Sequence, residues 1–574
     1  MTLAKYSLVL FYTILATFIY WYLYGKPMIG IDDANIYFIY VKNFVEGNGF
    51  VYSDGGERVE GFTSILWVLL ISPLYWLGQN FEVAIQFLNV IIISVVLFAS
   101  INFVNRITES KTFFSTPSLL FLILITVIPG YFDWSLLTLM ETGLWSFLLT
   151  IIAILLCTGA FTSRRYIQLA FLLSLLLLTR PESLIWIVVF LSLTFLRVYI
   201  QQENFYYTLK TMIWPIISVV FTVASLTVFR LLYFGYPLPN TYYAKVSTNV
   251  FYNLSEGVRY FLFCAIQSPL ILLIIVACII SFILIALKIL KSIKEKKLSD
   301  LNQGVQVQFI LSIITLISIL IPIYVGGDHF SLLRFYQPFM LIYFFLLFNI
   351  SFWKQYVSVN INLQLNLFAK ILLLILLAPF FYLLTDSPLH TFLKTGSPLG
   401  WEFRLAELGI EEGKLMNEFF AQMDQLPSVG VSAAGGFGYA YSGKVIDLMG
   451  LNNITMAHAL KEKVGIKNHA AFDKATFYSQ KPEVFHGYKK ISGFVKSPND
   501  TTILENDPGF ADMYVFRLYK KIFTDREFRL NYHPVVVSHP ASSLYLRSYF
   551  STEFIRKLQS HGYYVYFIKR KDSI

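Results

Sequence analysis

"GIDDANIYFIYVKNFVEGNGFVYSDGGERVEGF", residues Gly30 to Phe62, interrupts a chain otherwise dominated by Leu, Ile, Val and Phe. It follows directly on the first apolar run, Tyr6 to Tyr24, and places two adjacent carboxylates, Asp32 and Asp33, at its edge. The 574-residue chain is 56% hydrophobic, 17% aromatic and only 14% charged, whereas soluble domains carry about 25% charged residues. Apolar runs of roughly 18 residues or more recur as far as about Leu384, each long enough to cross a bilayer. The composition therefore predicts a polytopic α-helical membrane protein.

The formal net charge of +10 flanks apolar segments, so it reads as membrane topology and not as a nucleic-acid surface. Cys157, Cys264 and Cys278 all fall inside apolar runs, which excludes a disulfide framework. The first apolar run lacks a small-residue cleavage site, so it is expected to be a retained helix, with Lys5 marking a cytoplasmic N-terminus.

Basic connections at Asn105–Lys111, Ser163–Arg165, Arg197–Lys210, Lys288–Lys297 and around Lys354 are expected to be cytoplasmic. Those at Gly30–Phe62, Gly130–Gly143, Thr179–Glu182, Gly235–Tyr260 and Gly326–Arg334 are expected to face outward. A crossing by "GFTSILWVLLISPLYWLG" (Gly61 to Gly78) would invert every later loop, so this segment is read as interfacial or re-entrant. About 11 crossings result, the last near Leu367–Leu384. Residues 1–385 form the membrane domain, with juxtamembrane helices at 26–82, and residues 386–574 form an outer α/β domain with strands expected at "SVGVSAA", "KVIDLMG" and "MYVFRLY".

The unusual polar residues collect on the outward side: Asp32 and Asp33, Glu141, Arg180 and Glu182, Asn240, Tyr243 and Lys245, and Asp328, His329 and Arg334. Ionisable groups at membrane depth cost about 2.5–3.5 kcal/mol and point to function. Of two neighbouring carboxylates, one can serve as general base while the other shifts its pKa, although an Asp at this place also suits a helix N-cap. Arg180, Lys245 and Arg334 together suit an anionic phosphate, although each also suits an interfacial cation. The Asp328–His329 pair supplies too few ligands to define a metal site. "GGFGYAYSG" lacks the Lys-Ser/Thr of a phosphate loop and is expected to be a tight turn.

"IDDANIYFIYVKNFVEGNGFVYSDGGERVEGFTSILW" resembles the first outer loop of GT-C glycosyltransferases that use polyprenyl-phosphate sugars, in particular the branch of mycobacterial terminal arabinofuranosyltransferases and its bacterial relatives. "METG", "TRPES", "YFGYPLPNTYYAK", "GGDHFSLLRFYQP" and "IDLMGLNNITMAH" are similar to motifs recurring there in the same order. Phe62 stands where Tyr is commoner, and "LLTLMETG" lacks the usual small residues, so arabinose specificity does not follow.

The resemblance implies a GT-C fold in a bacterial cytoplasmic membrane with the C-terminal domain periplasmic. It implies inverting transfer from a polyprenyl-phosphate sugar to a cell-envelope glycan or glycolipid, with Asp32 or Asp33 as base. Arg58, Glu60, Glu141, Arg180, Glu182, Asn240, Tyr243, Lys245, Asp328, His329 and Arg334 form the expected substrate-binding set. No metal is obligatory, and Mg²⁺ or Mn²⁺ is the divalent cation expected if one binds. The rival readings are a lipid or glycan flippase, which would place polar residues in broken helices near the midplane, and a non-catalytic envelope assembly protein.

Overall fold

A computed structural model describes residues 2–25, 29–53, 55–294, 303–356, 399–486, 492–497 and 513–568. The N-terminal part is helical: α1 (Thr2–Tyr24), α2 (Asp32–Val45), α3 (Ile65–Ile71), α4 (Phe81–Ile107), α5 (Thr116–Val127), α6 (Thr142–Cys157), α7 (Ser163–Leu177), α8 (Ser183–Gln202) and α9 (Phe205–Tyr233). It continues with α10 (Asn240–Lys245), α11 (Val250–Gln267), α12 (Pro269–Lys294), α13 (Gln303–Val325) and α14 (Met340–Phe348). Helices α1, α4 to α9 and α12 to α14 fall in the stretches expected to cross, although α5, α6 and α14 are shorter than a bilayer requires. The last expected crossing, at 367–384, and the domain boundary at 385 lie outside the described residues. Six of the described helical segments are long and apolar enough to cross a membrane by themselves.

The segment read as non-crossing bends as its residues require. α3 spans 7 residues, about 10 Å at 1.5 Å per residue, against roughly 30 Å of hydrocarbon. Ser64 caps it by accepting the Trp67 N–H at 3.1 Å. Pro73 and Gly78, the latter at φ 59° and ψ −122°, then break the path before α4 begins. The connection at 235–260, expected to face outward, is more ordered than a loop. It contains α10 and most of α11, and a break at Ser268 (φ −130°, ψ 97°) separates α11 from α12.

The C-terminal part is an α/β domain with a seven-stranded mixed sheet ordered β2-β1-β3-β6-β5-β7, with β4 also paired to β6. β1 (Val429–Val431) pairs in parallel with β2 (Val445–Asp447) and β3 (Val484–His486). The antiparallel half comprises β4 (Gly493–Val495), β5 (Tyr532–Ser538), β6 (Tyr545–Ser551) and β7 (Tyr564–Phe567). The first two strand expectations hold. "MYVFRLY" instead forms the helix Met513–Leu518, because its buried Val515, Leu518 and Tyr519 follow i, i+3, i+4 spacing. The Gly-rich stretch expected as a turn forms the helix Gly435–Ala440.

Gly257 lets α11 approach α13 closely, since a Cβ there would lie 1.9 Å from the Ile323 carbonyl oxygen of α13. Gly257→Ala should destabilise the detergent-purified protein by about 1–3 kcal/mol, read as a lowered thermal midpoint. Gly400→Ala meets open space and should leave that midpoint unchanged.

Candidate active site

Asp32 and Asp33 occupy the first turn of α2, where negative charge is favoured by the helix dipole. Neither caps its own helix, because the N-cap position belongs to Ile31. Asp32 instead caps a helix from the other domain: its Oδ2 accepts the Gly435 N–H at 3.0 Å and its Oδ1 the Gly436 N–H at 2.8 Å. Glycine is required at 435, where a Cβ would fall 1.8 Å from the Asp32 carbonyl oxygen. Burial pushes the Asp32 carboxyl up to about 6 against the pull of those two N–H groups.

Asp33 faces a different environment. Burial would raise its pKa, but Lys245, with Nζ at 3.7 Å, and then Arg334, His329 and His469 hold it below the usual carboxylate range. Both carboxylates line a cavity of about 120 Å³ with Lys245, His329, Glu402 and His469. Glu402, on the helix Gly400–Phe419, is pushed up to about 7 by burial and by the charges of Asp33 and Asp32. Burial, His329 and Lys245 bring His469 down to about 3, so its ring is neutral at ordinary pH. The His329 and His469 rings lie 4.6 Å apart.

Asp328 anchors the far wall. Burial opposes its charge, yet Arg334 at 3.5 Å and the neighbouring His329 hold its pKa well below the carboxylate range. Asn468 donates to its Oδ1 at 2.8 Å. The Arg334 guanidinium lies over the Phe330 ring at 4.6 Å and the Trp134 ring at 5.3 Å. Arg334 also borders a second, smaller cavity on the bundle side, lined by Arg180, Glu182, Trp145, Trp186 and Phe339.

The structure sorts the expected residues into three groups. Asp32, Asp33, Lys245 and His329 converge on the first cavity, with Asp328 and Arg334 behind it. Arg180 is held between Glu141 at 2.7 Å and Glu182 at 3.1 Å, and Tyr37 donates to Glu141 at 3.0 Å. The remaining residues hold the outer loops together and against the α/β domain. Glu60 binds Arg230 through both oxygens at 2.8 Å, Arg58 stacks on Tyr233 at 4.7 Å, Asn240 donates to the carbonyls of Gly450 and Leu451, and Tyr243 stacks on His458 at 4.2 Å.

Sequence reasoning missed Glu402, His469, Asn468 and Arg230. A lone arginine in the apolar α9 was a usable signal for Arg230. Nothing local distinguishes Glu402 from the other acidic residues of its amphipathic helix. Among the described residues no group of three or more His, Cys, Asp or Glu side chains is disposed to hold a metal ion. Cys157, Cys264 and Cys278 are buried and free.

Fold and site together define a polytopic helical membrane protein whose acidic cavity is roofed by a C-terminal α/β domain. No family model matches the chain, and no curated protein matches it. Among solved structures it is similar to the apo oligosaccharyltransferase of Archaeoglobus fulgidus, with a TM-score of 0.42 and 12% identity over 92% of this chain and 71% of that one. The Archaeoglobus fulgidus oligosaccharyltransferase AglB in complex with an inhibitory peptide and a dolichol-phosphate gives 0.41 and 10% over the same shares. The complex with Zn and sulfate gives 0.42 and 12% over 91% and 69%.

Asp32 and Glu402 both bind a proton more tightly in the folded than in the unfolded chain. Their stabilising contribution is complete below the unfolded pKa and is lost as pH rises through the folded one. The thermal midpoint should therefore fall between about pH 4 and about pH 7, and Glu402→Gln should flatten the upper part of that decline. A Glu402→Gln profile parallel to wild type throughout would show that this carboxyl does not titrate as described.

Proposed function

We propose that the protein is an integral membrane glycosyltransferase of the GT-C type, moving a sugar from a polyprenyl-phosphate donor to a glycan or glycolipid outside the membrane. One observation carries the reading: a carboxylate cavity under an extramembrane domain adjoins an aromatic cavity on the bundle side, and Arg334 stands between them. The motif resemblance of the first outer loop supports the same reaction class. A bacterial cytoplasmic membrane with the acidic cavity on its outer side fits the distribution of basic loops.

In this mechanism Asp32 takes the proton of the acceptor hydroxyl. A pKa near 6 leaves it ionised at neutral pH yet basic enough to accept a proton, and the two backbone N–H groups fix its orientation. The acceptor oxygen forms its bond to the anomeric carbon as the bond to the donor phosphate oxygen breaks. The sugar passes through an oxocarbenium-like state, as in glycoside hydrolysis, and the electron pair leaves with the phosphate. Lys245 and Arg334 are the cations suited to that departing charge, their present partners being Asp33 and Asp328. Arg180, already matched by two carboxylates, orders the pocket wall and offers little free charge. Asp33 has a lowered pKa and so is the weaker base; it positions Lys245.

Transfer from a polyprenyl-phosphate sugar to a glycan acceptor, measured with purified protein, tests these roles. Asp32→Asn should cost about 10²–10⁴-fold in kcat, while Asp33→Asn should chiefly raise KM for the donor. Wild-type kcat/KM should fall below about pH 6, and Asp33→Asn should keep that limb. Because Asp32 also docks the outer domain, limited proteolysis must report an unchanged cleavage pattern in Asp32→Asn. With that pattern intact, a wild-type rate in Asp32→Asn would remove Asp32 from the chemistry.

A further inference from the structure

Three arginines gather at the end of the bundle where the basic connections lie, away from the acidic cavity. Arg106 closes α4, Arg165 opens α7 and Arg197 lies in the final turns of α8. They stand close enough to repel one another electrostatically. The connection between α6 and α7 holds two of them: Arg197 Nη2 donates to the Gly159 carbonyl at 2.6 Å, and Arg165 Nη2 donates to Thr158 Oγ1 at 3.1 Å. The Arg197 guanidinium also lies over the Phe161 ring at 5.6 Å.

What remains is unsatisfied. Arg197 is only 7% exposed, yet its Nε and Nη1 have no hydrogen-bond partner, and neither does Arg165 Nη1. Among the described residues none of the three arginines pairs with a carboxylate. The acid that follows Arg106 on the same connection, Glu109, is taken by Lys354 at 2.5 Å and Ser351 at 3.1 Å. A buried, unpaired guanidinium is costly, and like charges beside it add to the cost. An anion with several acceptor oxygens relieves both, and the planar guanidinium fork matches phosphate in particular. The flanking surface is apolar and outward-facing, with Ile167, Phe171 and Phe205 about three-fifths exposed, which suits acyl chains beside a headgroup.

We propose that Arg106, Arg165 and Arg197 form a phosphate-binding site that takes the headgroup of an anionic phospholipid in the leaflet opposite the acidic cavity. A membrane supplies that phosphate at the depth of helix ends, where basic pockets between helices bind anionic lipids. The site stands independently of the glycosyl-transfer reading.

Thermal midpoints and native mass spectra of the full-length protein, delipidated in neutral detergent, test it with three probes: phosphatidylglycerol, phosphatidylcholine and inorganic phosphate. Phosphatidylglycerol should raise the midpoint and remain bound, and phosphatidylcholine should do neither. Arg165→Gln and Arg106→Gln should each weaken phosphatidylglycerol binding by about fivefold to tenfold. These two are preferred over Arg197→Gln, which also removes the contact holding Gly159. Equal stabilisation by inorganic phosphate alone would uphold the phosphate site and overturn its lipid source. Binding of phosphatidylglycerol no better than phosphatidylcholine, with no effect of phosphate, or unaltered binding in both variants, would overturn the proposal.

Discussion

Two hydrogen bonds from backbone amides to one carboxylate couple the membrane part to the C-terminal α/β domain. Asp32 opens α2, and Gly435 and Gly436 begin a short helix just over 400 residues later. That contact needs two residue types at once: a carboxylate whose two oxygens can each accept an N–H, and glycines whose missing side chains let the backbones meet. The Tyr52 hydroxyl, donating to the Ala434 carbonyl at 2.5 Å, and Tyr40, donating to Asn452 at 3.1 Å, extend the same seam. Asn240 closes it from the connection at 235–260. The acidic cavity exists because these contacts lay the α/β domain over α2.

Within that seam the charges are arranged by contrast. Burial, helped by the charges of Asp33 and Asp447, raises the proton affinity of Asp32 against the pull of two backbone amides; Asp33, one residue on, meets Lys245 and its affinity falls. Successive residues of a helix point about 100° apart, which is enough to give identical side chains opposite environments. The same logic separates the two arginines of the aromatic-lined cavity. Arg180 is neutralised by Glu141 and Glu182, whereas Arg334 shares a single carboxylate and rests on aromatic faces.

Much of the site was legible residue by residue. Charged groups near membrane depth are rare enough that each one stands out, and Asp32, Asp33, Lys245, His329 and Arg334 all stood out before any coordinates. Their division of labour was not legible, because a proton affinity depends on neighbours brought from distant segments. Glu402 and His469 were invisible for the same reason: in a domain of ordinary polarity, one acidic and one imidazole side chain carry no local mark. The unsatisfied arginines at the other end read as topology alone until burial and the missing partners became apparent.

Hydropathy and charge alone determined a polytopic helical protein and an α/β domain toward its C-terminal end. Those features follow from local energies, the cost of moving each side chain or peptide group out of water, and so they can be summed along the chain. Only the tertiary structure decided that Asp32 joins two domains by accepting backbone amides and that Asp33 is the partner of a lysine. It also decided that "GGFGYAYSG" opens as a helix whose first two amides donate to Asp32. Those outcomes depend on which groups meet across hundreds of residues, and no window of sequence contains both partners.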